Sequence, residues 1–145
     1  MTIDLAEQLI SEEEGRNSHV YPDNEGFSTV GVGACIDARV PGAGLCDAAI
    51  EAQLASDMQS ARVDASEFPH FAELNDVRQA VLISMAFQMG SKPLHWPDFM
   101  SALQQKDYAA AATAGRDSDW WRRETHKRAE REMQMLESGN WVAKQ

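Results

Sequence analysis

At 145 residues the chain is long enough for one domain, or for two small lobes that share a core, and needs no covalent staple to fold. Its 43% hydrophobic and 25% charged content, without a low-complexity run, excludes a disordered chain, and a net charge of −10 sets it against a general nucleic-acid binder. Early acids and the lack of a long apolar run over residues 1–20 lead us to expect neither a signal peptide nor a membrane-inserted anchor. The charge is uneven: residues 116–145 carry 7 basic against 6 acidic groups, and residues 1–115 carry 6 against 17. That tail would either set cations beside an anionic substrate or serve as a solvated surface.

The first element is a short amphipathic helix over residues 2–13, with Ile3, Ala6, Leu9 and Ile10 at helical spacing and Gly15 as its stop. From His19 to Gly33 the period changes to two, around a turn at Pro22-Asp23-Asn24-Glu25-Gly26, which predicts a β-hairpin. Residues 34–45 read as loop. Cys35 and Cys46, the two cysteines, are too few for a disulfide framework and lack the partners of a zinc site, so no metal is expected; paired or free, both readings stay open. Asp47 should cap a helix to about residue 65, striped by Ile50, Leu54, Met58 and Ala61 and roughly 25–30 Å long. Asn75 or Asp76 should cap a central apolar helix over residues 77–89, closed by Gly90. Short helices are predicted near 97–105, 107–114, 118–122 and 126–137, with Trp96, Trp120, Trp121 and Trp141 as packing elements.

The chemistry-bearing residues begin at the end of the first helix. Glu14 lies one turn beyond Ile10, so the buried stripe would carry its carboxyl toward the core. Burial and the negative end of the helix would both raise its pKa and suit it to protonate a glycosidic oxygen. By the same periodicity Glu12 should face solvent, while Glu13 is ambiguous and competes with Glu14. In the hairpin's second strand Phe27, Thr29, Gly31 and Gly33 share one face, which shows a hydroxyl beside positions with little side chain where a sugar ring could approach the backbone. Asp23 in the preceding turn can reach toward Thr29. A carboxylate and a hydroxyl there could hold and deprotonate one water, as a single-displacement hydrolysis requires.

Leu9-Ile10, Glu14-Gly15, Tyr21, Asp23, Gly26, Thr29, Gly31 and Gly33 together resemble the signature of the phage T4-type lysozymes and endolysins, glycoside hydrolase family 24. Phe87-Gln88-Met89-Gly90 resembles that family's central helix, and Trp120, Thr125, Arg128, Ala129 and Gly139-Asn140-Trp141 its C-terminal helices. The resemblance covers nearly the whole chain. It implies a mostly α, α+β fold of two lobes with a cleft between them: a small β-sheet N-terminal lobe over residues 14–46, a long connecting helix over 47–65, and a helical C-terminal lobe of 66–145 plus 1–13. The implied activity is that of a muramidase, cleaving the β-1,4 bond between N-acetylmuramic acid and N-acetylglucosamine of bacterial peptidoglycan with inversion and without a cofactor. Glu14 would be the general acid, with Asp23 and Thr29 positioning and activating water. Gly31, Gly33, Phe87, Gln88 and Arg128 would bind substrate. Phe87 and Gln88 read equally as helix core, and Arg128 as an orienter of Glu14, a contact for peptide carboxylates, or a surface partner of Glu124 or Glu132.

The chain departs from the family at Ala34, where members often carry a histidine, and in its short loop over 34–45. Its acidity implies slower association with anionic walls than basic relatives show, and a better match to thin Gram-negative peptidoglycan. Such an enzyme would be made in the host cytoplasm and act on periplasmic wall, either released through a holin or carried by the virion, and a monomer is the default for a cleft enzyme of this size. A lytic transglycosylase and a catalytically silent wall-binding module are the competing readings. Asp23 and Thr29 argue against the first, and the intact acid against the second.

Overall fold

The computed structural model describes the backbone of residues 4–15, 17–22, 28–31, 34–35 and 47–145, and the side chains of 4–15 and 49–145. Helix α1 is Leu5–Glu14. Asp4 caps it, its carboxylate accepting from the backbone N–H of Ala6 at 3.1 Å and Glu7 at 3.3 Å. Gly15 ends it at φ 71°, donating to the Ser11 carbonyl at 2.9 Å, in a conformation that a side chain would strain. Ala6, Leu9 and Ile10 are buried.

Three short strands follow, β1 (Asn17–Pro22), β2 (Ser28–Gly31) and β3 (Ala34–Cys35), paired antiparallel in that order. Thr29 sits opposite Tyr21 on one side and Cys35 on the other, and Gly31 opposite Asn17. Helix α2 (Asp47–Ala65) returns to the helical body, burying Ile50, Leu54, Met58, Ala61 and Ala65 along one stripe. Asp4 also forms an ion pair with Arg62, which ties the start of α1 to the last turn of α2.

Helix α3 (Asp76–Met89) is the centre. Asn75 caps it by accepting from the Arg78 N–H at 2.9 Å, and every residue from Ala80 to Ala86 is buried, which fits its nearly all-round apolar sequence. Around it lie α4 (Pro97–Gln104), α5 (Tyr108–Arg116), a π-helical turn at Trp120–Glu124, and α6 (His126–Ser138). Gly139 closes α6 in the left-handed conformation, and Arg78 donates to the carbonyls of Leu136 at 2.7 Å and Glu137 at 2.9 Å. A cation thus satisfies the carbonyls at the negative end of that helix. No helix among the described residues is long and apolar enough to cross a membrane.

The expectation of an α+β fold with a β-sheet N-terminal lobe needs correction. The described core is helical: its buried apolar residues come from the six helices and the turns that join them. The strand segments run to six, four and two residues and do not constitute a β lobe. The period-two pattern predicts a hairpin, and β1 does pair antiparallel with β2; the correction falls on the β-sheet lobe that the resemblance implied.

Candidate active site

Three consecutive glutamates end α1, and no basic residue lies in its last turn. Their negative charges sit at the negative end of the helix, a locally unfavourable arrangement. Two arginines one turn apart on α6 compensate it. Arg131 donates from Nη1 to Glu13 Oε1 and from Nη2 to Glu12 Oε2, both at 2.7 Å. Its Nε reaches the Val142 carbonyl at 2.8 Å, and its guanidinium lies 5.2 Å from the centre of the Trp141 ring. Arg128 takes the remaining carboxyl, its Nη1 donating to Glu14 Oε1 at 2.6 Å.

This division separates residues that helical periodicity left ambiguous. The Glu13 side chain is 7% exposed and held by Arg131, whereas Glu14 is 22% exposed and is the carboxyl that Arg128 presents. Glu12 does not simply face solvent, as the pattern suggested, because it shares Arg131; with Arg131 and Gln8 as donors its carboxyl is held below its ordinary pKa despite some burial. Nor does Glu14 lie in the wholly apolar pocket that the stripe implied. A guanidinium lies against it.

Behind Glu14 the polar network continues inward. Ser84, Arg128, Arg131 and Glu132 are the buried polar side chains among the described residues. Arg128 Nη2 donates to Ser84 Oγ at 3.0 Å, its Nε to Glu132 Oε1 at 3.2 Å, and the Ser84 hydroxyl donates to that same oxygen. Burial opposes the charge on Arg128, but Glu132 and Glu14 together hold its pKa above the usual arginine value. Burial pushes the Glu132 carboxyl up, with Arg128 and Ser84 offsetting only part of the effect. Glu132 was visible in sequence only as a possible surface partner of Arg128. Four-residue spacing could have found the pair, but no local pattern announces that it is buried.

The other predicted residues scatter. Gln88 is half-buried near the end of α3, where its Oε1 accepts from the buried Trp120 indole at 2.8 Å and its Nε2 donates to Thr125 at 3.1 Å. Phe87 packs against the core from a half-buried position. Thr29 and Gly31 are placed by backbone pairing on β2, while Asp23, Gly33 and Cys46 lie outside the described residues. Among the described residues no three His, Cys, Asp or Glu side chains group as a metal site. An open cavity of about 290 Å³ between Lys92, Trp96, Ala114, Asp117, Asp119 and Trp120 is lined by none of the predicted catalytic or substrate-binding residues.

A family model described as phage lysozyme matches residues 11–136, spanning the three glutamates, the strands and the arginine-bearing helix. The chain belongs to the phage lysozyme family. Membership supports a lysozyme-type glycoside hydrolase activity directed at peptidoglycan. The chain is also similar to the pre-baseplate central spike protein Gp5 of Enterobacteria phage T4, at 27% identity over 92% of this chain. It spans 28% of the length of that relative.

Proposed function

We propose that this phage lysozyme is a muramidase that hydrolyses the β-1,4 bond between N-acetylmuramic acid and N-acetylglucosamine with inversion, as one lysozyme domain and without a cofactor. Glu14 gives its proton to the glycosidic oxygen. Asp23, aided by Thr29, takes a proton from the water that attacks the anomeric carbon from the opposite face. The observation that carries the reading is the split of the α1 glutamates: Arg131 takes Glu12 and Glu13, and Glu14, more open than Glu13, is held by Arg128 at the end of α1. Gly31, Gly33, Phe87 and Gln88 are the proposed sugar contacts.

The substrate is bacterial peptidoglycan, reached in the periplasm by a monomer. Of the two delivery routes, release through a holin or carriage by the virion, similarity to a spike protein favours the virion. Glu14→Gln should abolish lysis of outer-membrane-permeabilised Gram-negative cells while circular dichroism stays that of the parent. Mass spectrometry of wild-type digests should find reducing muramic ends, with the α anomer formed first. Anhydromuramyl ends would make the enzyme a transglycosylase, and no cleavage at all would leave a binding module.

A further inference from the structure

Gly139 turns the chain back at the end of α6, and residues 141–144 then reach the carbonyl end of α1. An α-helix leaves its last four carbonyls without partners in its own ladder, and α1 has no basic residue in its last turn to meet them. Lys144 supplies a donor from outside the helix. Its Nζ donates to the Glu12 carbonyl and lies 4.0 Å from Glu13 Oε2. A lysine on those carbonyls also sets a cation at the negative pole of the helix.

The same segment is fastened a second time. Arg131 Nε donates to the Val142 carbonyl at 2.8 Å, while its Nη1 and Nη2 hold Glu13 and Glu12. One buried guanidinium thus joins the segment to the two residues that precede Glu14. Trp141 and Val142 pack against the core, and the Trp141 ring lies beside that guanidinium. Arg128 fixes the Glu14 carboxyl; these contacts fix the turn of backbone from which it projects.

We propose that Lys144 is a positioning residue for Glu14: with Arg131 it clamps residues 141–144 across the last turn of α1 and so sets the direction in which the acid projects. This rests on the reading of Glu14 as the proton donor. Proton transfer to a glycosidic oxygen needs the carboxyl within hydrogen-bond reach, and a misplacement of about 1 Å can cost on the order of a hundredfold in rate. A loosened last turn leaves sugar binding as it was and lowers the share of bound complexes in which the carboxyl is aligned. The loss therefore falls on kcat and not on KM.

Lys144→Met and Lys144→Arg test the clamp. Lys144 is half exposed, and Arg131 keeps both glutamates paired without it, so both variants should fold. Steady-state kinetics on soluble peptidoglycan fragments are measured beside hydrogen exchange of the Gly15 amide, whose bond to the Ser11 carbonyl reports on the last turn of α1. In Lys144→Met, Gly15 should exchange several-fold faster and kcat should fall about tenfold at the parental KM, and Lys144→Arg should restore both. Unmoved Gly15 exchange overturns the clamp. Faster exchange with an unmoved kcat overturns the positioning role, and so does a loss that sits in KM or that arginine does not rescue. Faster exchange and a lower kcat in a protein whose Glu14→Gln variant still cleaves would uphold the clamp and instead remove Glu14 from the acid role.

Discussion

Nη1 of Arg128 lies 2.6 Å from Oε1 of Glu14 across 114 positions of sequence. A helix that ends in three acids has the wrong charge for its own dipole, and α1 carries no compensating base. Its last turn is instead completed by α6, so the geometry of the proposed acid depends on packing between the two ends of the chain.

Arg128→Met should lower stability by about 3–5 kcal/mol, because it leaves Glu132 buried beside Ser84 without its cation. Removing both partners is a different matter. Arg128→Met/Glu132→Leu should recover most of the loss, since two buried charges leave together. Urea unfolding at neutral pH compares them, and a double variant as unstable as the single one would show that the cost lies in packing.

Glu13 and Glu14 should separate cleanly by substitution. Glu13→Gln removes a buried ion pair with Arg131 and should cost about 1–3 kcal/mol in thermal or urea unfolding. Lysis per folded molecule should persist, whereas it vanishes in Glu14→Gln. The reverse pattern would move the acid role to Glu13.

The helices were legible in sequence wherever caps and apolar stripes agreed. Asn75, Gly15 and Gly90 mark helix boundaries as the sequence suggested, whereas the first helix begins at Leu5 behind an Asp4 cap and not at residue 2, and Ile50, Leu54, Met58 and Ala61 form a buried stripe. Alternation was legible too, and the hairpin it predicted matches the antiparallel pairing of β1 with β2; the lobe came from the resemblance, and alternation alone does not state how much surface a strand buries. The charge cluster was hidden for another reason. Periodicity ranks Glu12, Glu13 and Glu14 by angle around one helix, while their actual order is set by Arg128 and Arg131, which arrive from the far end of the chain. Local signals do not encode that arrival.

Gln88 offers a test between sugar contact and core bridge. Its amide oxygen is the acceptor for the fully buried Trp120 indole, so Gln88→Leu should leave that N–H unsatisfied and cost about 1–3 kcal/mol. If Gln88 serves only to brace Trp120 and Thr125, KM on peptidoglycan fragments stays at the parent value while Tm falls. A several-fold rise in KM in the still-folded variant would assign it to a sugar subsite.

Acid stability should depend on Glu130. The Arg116 guanidinium, bonded to both of its oxygens at 3.0 and 3.1 Å, and the Trp121 indole at 2.8 Å hold its carboxyl down to about 2, against 4.5 for an ordinary glutamate. A depressed folded-state pKa adds stability that is fully present above the unfolded value, so this contribution is whole above pH 4.5 and lost as pH falls toward 2. The side chain is 29% exposed, and solvent screening reduces the contribution to about 1 kcal/mol. Glu130→Gln should therefore be less stable than the parent at pH 6, and the two should converge near pH 2 in urea unfolding. A gap that stays constant across that range would mean the substitution acts through packing against Trp121 and not through the charge.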